Sequence, residues 1–328
     1  MGYRTNIDWT DHTWNPWQGC HKVSQGCEHC YMYREKTRYG QDPSTVVRSS
    51  RATFEKPLSW HRTVVAQARG GLVPKPELVF ACSWSDFFVT EADPWRDEAW
   101  DIIRRTPYLT YQLLTKRVEN IAARLPADWG AGWRNVWLVA SAENQAAADE
   151  RLPLLLQTPA AVRGVSVEPM LSGMDLTRYV FDRGKEIGRL MYGPAVYNRE
   201  QAESVVCPSL DLVICGGESG PDARPMHSAW PRGLRDQCKA AGVPFWFKQW
   251  GEWLPGNQVR QDSAYWPGFV KAPFGTLGSD GQWLPDRYSQ FYEQKMPAAE
   301  CVYKVSKAKA GHLLDGERWQ QLTEGMAR

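Results

Sequence analysis

No hydrophobic run of membrane-spanning length occurs anywhere in the 328 residues, which argues against a transmembrane helix. The first residues, Met1 to Asp8, have no apolar stretch of the kind a secretory signal carries. Cysteine is sparse: eight in all are too few for a disulfide scaffold in a chain this long. These absences point to a reducing, cytoplasmic setting without membrane involvement. An excess of one charge is lacking too, since 39 Lys and Arg against 37 Asp and Glu leave a net charge of +2. That disfavours a broad basic surface tracking nucleic acid, although a local basic groove remains compatible with it.

Tryptophan, by contrast, is abundant, with 17 copies. Most such side chains fill cores, and some can serve as stacking platforms for bases or an adenosyl group. Short apolar runs rich in β-branched and aromatic residues lie at 78–82, 109–114, 136–140, 162–167, 210–215 and 243–247. They read as buried parallel strands. They recur about every 30 residues, with one longer gap, as βα units do. The expected fold is α/β, a full or partial (β/α) barrel of six to seven βα units. An insertion in the fourth unit, about 175–208, would be a lid, a substrate loop or a plain surface excursion. The expected boundaries are a barrel domain over 1–252 and an irregular C-terminal extension over 253–328 packed on it.

Helix signals fit between the runs. A helix-compatible stretch covers 53–68. Asp93 and Pro94 open a helix that Pro107 stops, and Ser228 precedes one that Gly242 closes. Near the end, Lys304, Lys307 and Lys309 form either a phosphate clamp or a solvated basic face. Beyond Gly311, Leu313, Leu314 and Trp319 read as a short helix packed back on the body.

In a parallel barrel the strand ends converge on one mouth. Here they present Ser83, Ser85 and Asp86, then Thr115, Lys116 and Arg117, then Ser141 and Glu143. Glu168, the Gly216–Gly217–Glu218 run, and Lys248 with Glu252 follow. A mouth of acids, bases, hydroxyls and bare glycine backbone suits a zwitterionic, hydroxyl-rich ligand.

The sharpest chemical signal lies upstream. Cys20, Cys27 and Cys30 form a C-x6-C-x2-C cluster in a loop rich in glycine and aromatics. Three thiolates at such spacing suit one soft metal centre. On spacing alone two readings stand. One is an iron–sulfur cluster with an open iron. The other is a zinc site completed by His12, His21, His29 or a distant cysteine. Cys82 and Cys215 sit inside apolar runs and read as inert core thiols, and Cys207, Cys238 and Cys301 have no companion spacing.

A three-cysteine loop with a (β/α) barrel resembles the radical S-adenosylmethionine superfamily. Five segments (9–17, 114–117, 167–169, 216–220 and 247–251) resemble a phage- and prophage-associated family of uncharacterised proteins within it, the likeness covering about 5–255 and the lysine-containing tail. The superfamily's usual spacing is C-x3-C-x2-C, and this first arm is longer. The resemblance implies that Cys20, Cys27 and Cys30 bind three irons of a [4Fe–4S] cluster and that S-adenosyl-L-methionine chelates the fourth. It implies that His29 packs beside the adenine, that Ser83, Ser85 and Asp86 receive the cofactor's amino group, and that Ser141 and Glu143 bind ribose hydroxyls. It places Gly216 and Gly217 against the cofactor. The implied reaction is reductive cleavage to a 5′-deoxyadenosyl radical that abstracts a substrate hydrogen, with an electron donor such as flavodoxin or ferredoxin.

Glu168, Glu218 and Lys248 are the catalytic candidates, and Lys116, Arg117 and Glu252 are further candidates for substrate binding or proton transfer. The phage association favours a nucleotide or nucleic-acid base as substrate, with Lys116, Arg117 and Lys248 meeting phosphate and Trp84 and Trp250 stacking the base. A peptide is the main alternative. Rival functions are a zinc-stabilised nucleic-acid-binding module and a metal-independent hydrolase using Glu168 and Glu218 as an acid/base pair.

Overall fold

The computed structural model describes residues 5, 7–69, 76–180, 209–259, 274–285 and 298–322. Most of the insertion expected at 175–208, and Cys207 with it, lies outside these residues.

The apolar runs form strands because alternate residues serve two buried faces. Strands β1 (His12–Trp14), β2 (Glu77–Ala81), β3 (Leu109–Thr115), β4 (Val136–Ser141), β5 (Val162–Val167), β6 (Leu212–Gly216) and β7 (Phe245–Gln249) pair in that order. Every pairing is parallel. The sheet curls into a half-barrel, and β1 and β7 remain its two edges. Strand β1 was not among the expected strands. It is three residues long and carries His12, so it has no apolar run to announce it.

One set of strand residues, including Val79, Leu113, Leu138, Val165, Val213 and Phe247, packs with helix residues such as Trp60, Ile102, Leu152 and Leu234. The helices of eight or more described residues are α1 (Tyr31–Arg38), α2 (Lys56–Arg69), α3 (Asp93–Arg105), α4 (Gln145–Gln157) and α5 (Ala229–Ala241). The alternate set, Leu78, Trp137, Val139, Val162, Ile214 and Trp246, forms a second cluster with Trp9. Continuing that face toward the carboxyl ends gives Ser141, Ser166 and Lys248. The inner face thus runs from tryptophan to polar groups, and the polar end carries the cavity described below.

One end of α5 differs from expectation. Ser228 makes no side-chain cap on α5. Its hydroxyl donates instead to Glu300 at 2.6 Å, tying the helix start to the C-terminal region. Gly242 does close α5, at φ +66°.

The region expected to be irregular contains an antiparallel sheet. It comprises β8 (Trp253–Pro255), β9 (Phe274–Leu277), β10 (Trp283–Pro285) and β11 (Glu300–Lys304), in the order β8–β11–β9–β10. These strands are too short for a period-two pattern to stand out. Residues after Gly311 pack back on the body as expected, but as extended chain rather than helix. Gln320 bridges antiparallel to Trp246, and Phe247 N–H donates to the Trp319 carbonyl at 2.8 Å. The tail therefore covers the β7 edge, which would otherwise expose unpaired backbone groups. No described helix is long and apolar enough to cross a membrane.

Candidate functional site

The cysteine loop leaves the carboxyl end of β1. Its entry needs glycine: Gly19 has φ +97°, and a Cβ there would stand 2.1 Å from the Thr45 carbonyl oxygen. The loop then makes a 3-10 turn over Gln25–Cys27, and Cys30 directly precedes α1. All three thiols are free and partly exposed. They line one cavity of about 920 Å³ at the carboxyl ends of the strands.

Three charged side chains from later in the chain hold this loop. Arg117 donates to the His21 carbonyl at 2.7 Å, to Cys20 Sγ at 3.4 Å and to Asp86 at 3.2 Å. Glu143, 1% exposed, accepts from Gly26 N–H at 3.1 Å and pairs with Arg151 at 3.1 Å. Arg224 donates to the Gln25 carbonyl and to Glu28, both at 3.0 Å, and to Glu218 at 2.6 Å. Burial works to raise the pKa of Glu143, but Lys116, the Ser24 hydroxyl, Arg151 and Gly26 hold it below its ordinary value. Burial likewise opposes ionisation of Glu218, and the bonds and charge of Arg224, with His29, outweigh it. Burial pushes the Cys20 thiol up to about 11, against the charge of Arg117. The extra residues between Cys20 and Cys27 are therefore anchored, and most of the long first arm lies under these clamps.

The cavity brings together Cys20, Cys27, His29, Cys30, Ser83, Ser85, Asp86, Ser141, Glu168, Gly217, Glu218 and Lys248. Glu143 and Gly216 are not on its wall. Several of the expected roles meet different surroundings. Asp86 is buried and already accepts from Thr115 at 2.7 Å, Phe88 N–H at 2.9 Å and Lys116 N–H at 3.0 Å, besides Arg117. Its oxygens serve the protein, which leaves little capacity for a ligand ammonium. Glu143 is occupied as a loop anchor rather than presented to a ribose. Gly217 is bare for packing as well as access: a Cβ would fall 2.0 Å from the Trp250 carbonyl oxygen. Ser83 bonds Asn15, and the Ser85 hydroxyl donates to the Gly19 carbonyl. Glu168 and Lys248 form an ion pair of 2.6 Å on the wall, each about one-fifth exposed.

Trp84 lines the cavity, but Trp250 does not. Trp250 is 1% exposed, its indole N–H donating to the Leu313 carbonyl at 2.8 Å, so it cannot stack a base. Arg117 is committed to Asp86 and the loop rather than free for phosphate. Of the tail lysines, Lys307 reaches the cavity and Lys304 bonds the Pro221 carbonyl. Cys82 and Cys215 are buried core thiols, and burial pushes both well up.

Each histidine weighed as a zinc ligand has a carboxylate partner. His12 pairs with Glu77 at 2.8 Å and stacks on Trp60, His21 pairs with Glu91 at 2.7 Å, and His29 with Glu218 at 3.2 Å. Among the described residues no three His, Cys, Asp or Glu side chains gather as the ligands of a single metal ion would. The thiols instead share the wall of one roomy cavity. Three thiolates on one wall are a donor set that a multi-iron group, or a zinc ion with a fourth ligand, could use.

The sequence did not single out Arg224, Arg151, Asn15 or Tyr33. Tyr33 on α1 donates to the Cys20 carbonyl and shares the cavity wall with the three thiols.

Residues 4–323 match a family described as "Protein of unknown function (DUF5131)". The chain belongs to that family. No curated protein and no solved structure matches it. Family membership fixes no reaction, so function must be argued from the site itself.

Proposed function

We propose that the chain is a radical S-adenosylmethionine enzyme. The observation that carries this reading is the placement of three free thiols. They sit on a clamped loop leaving the first strand of a parallel half-barrel and face one large cavity at the strands' carboxyl ends. Cys20, Cys27 and Cys30 would hold three irons of a [4Fe–4S] cluster and leave one open to S-adenosyl-L-methionine. When bound, cluster and cofactor supply a 5′-deoxyadenosyl radical by one-electron cleavage of the sulfonium, and with it the capacity to take a substrate hydrogen atom.

The chain's own residues bind, orient and shield. Arg117, Glu143 and Arg224 keep the cysteine loop in register with the strand ends. His29, Ser141 and the Gly217 backbone offer contacts to the cofactor. Trp9, Phe80 and Tyr31 on the wall limit water. Lys248 donates to Glu168 across 2.6 Å, and the pair is placed to move a proton at the substrate. Glu218, held by Arg224, positions the loop instead of acting as an acid.

The substrate we favour is a nucleotide or nucleic-acid base, in a step that modifies or repairs DNA. Trp84, Lys116 and Lys307 on the wall support it, offering a stacking face and ammonium groups. A flavodoxin- or ferredoxin-type donor would supply the electron. The test is to incubate the anaerobically reduced protein with S-adenosylmethionine and measure 5′-deoxyadenosine, alone and with nucleotides, single-stranded DNA and a peptide pool. Release accelerated by a nucleotide or by DNA supports the assignment. Acceleration by peptide alone would keep the enzyme class and reject the substrate, and no release at all would reject the class.

A further inference from the structure

A second cavity of about 480 Å³ lies behind the cysteine loop, walled by Gln18, Lys36, Gln41, Asp42, Arg48 and Ser50 among others. It backs on the arm that carries Cys20, whose N–H donates to the Pro43 carbonyl at 3.0 Å. Lys36, on α1, is only 3% exposed, yet its ammonium makes no hydrogen bond or ion pair with any described residue. The carboxylate that acts on it, Asp42, spends its oxygens on Ser44 at 2.7 Å and Thr45 at 2.6 Å. A buried ammonium whose N–H groups bond nothing is costly, even with a carboxylate in its neighbourhood, and proteins rarely keep one unless something further compensates it.

The rest of the wall is consistent with an anion. Arg48 is fixed by Glu98 at 2.7 Å and lies 4.1 Å from the Phe54 ring, so a second cation is held at the rim. Gln18 and Gln41 make no side-chain hydrogen bond with a described residue, and their amides are donors in waiting. Ser50 adds a hydroxyl. An ammonium with three N–H groups, two amides and a hydroxyl offer more donors than a carboxylate can use, and a tetrahedral oxyanion uses them all.

We propose that this cavity binds a phosphate-type oxyanion, with Lys36 as its buried ammonium and Gln18, Gln41 and Ser50 as hydrogen-bond donors. The site is independent of the cluster chemistry and stands if that chemistry fails. The oxyanion is a free or terminal phosphate, or a phosphodiester of a nucleic-acid backbone.

The test is calorimetric titration of the full chain, in low-salt buffer free of phosphate and sulfate, with inorganic phosphate, AMP and a thymidine oligonucleotide bearing only internal phosphodiesters. Lys36→Met keeps the buried stem and removes the charge, and it should weaken binding by about tenfold or more. Gln18→Glu leaves Lys36 in place and puts a second carboxylate in the cavity, with the same expected direction. Should Lys36→Met fail to fold, Gln18→Glu decides. Saturation by phosphate and AMP but not the oligonucleotide supports the site with a terminal phosphate, and saturation by the oligonucleotide supports it with a backbone phosphate. No saturable binding by any probe, or binding left unchanged in every variant that folds, overturns the proposal.

Discussion

Arg117 Nη1 lies 3.4 Å from Cys20 Sγ, and the same guanidinium reaches the His21 carbonyl at 2.7 Å. One side chain from the end of β3 thus fixes both the first cysteine and the backbone that follows it. Arg117→Lys keeps the charge and loses the fork. It should leave the fold intact and make iron retention about 10- to 100-fold weaker against a chelator. Anaerobic titration with a ferrous chelator measures this.

Glu143 and Arg151 form an ion pair whose side chains are 0% and 6% exposed. Glu143→Ala should destabilise the protein by about 3–5 kcal/mol, because it strands a buried guanidinium and frees Gly26 N–H. Glu143→Gln, which keeps an acceptor for Gly26, should cost less. Denaturant unfolding of the three proteins checks the order.

These clamps explain what the sequence left unread. Strands β2 to β7 were legible because burial on both faces demands continuous apolar runs, which composition reveals. The cysteine cluster was legible because its ligands are close in sequence. The anchors were not. Arg224 meets Gln25 across 199 residues, and no local pattern encodes such a contact. Asp86 shows the converse limit. Its place at a strand end was readable, but the four donors that consume its oxygens come from the end of β3 and its own turn. The antiparallel C-terminal sheet escaped because its strands run three to five residues.

The Glu168–Lys248 pair stands on the cavity wall away from the loop clamps. Glu168→Gln and Lys248→Met should therefore retain iron and sulfide at the wild-type level. Both should lower substrate-dependent turnover by about 10²-fold or more if the pair moves a proton. Equal loss of iron in these variants would assign the pair to the fold instead.

The tail carries its own clasp. Asp315 bonds Arg232 at 2.6 Å and Arg235 at 2.7 Å, and these bonds, with Gln258, hold its pKa well below the ordinary carboxylate range against burial. A carboxyl depressed in the folded state stabilises it above the unfolded pKa, about 3.9 for Asp, and loses that effect as pH falls toward the folded value. The stability gap between wild type and Asp315→Asn should be constant from about pH 5 to 7 and shrink below about pH 4. A gap that widens on acidification would contradict the clasp.

Metal and sulfide analysis of the protein purified without oxygen tests the central claim most directly. The account predicts about four irons and four sulfides per chain, lost in each of Cys20→Ala, Cys27→Ala and Cys30→Ala. One equivalent of zinc with no sulfide, under the same conditions, would contradict it.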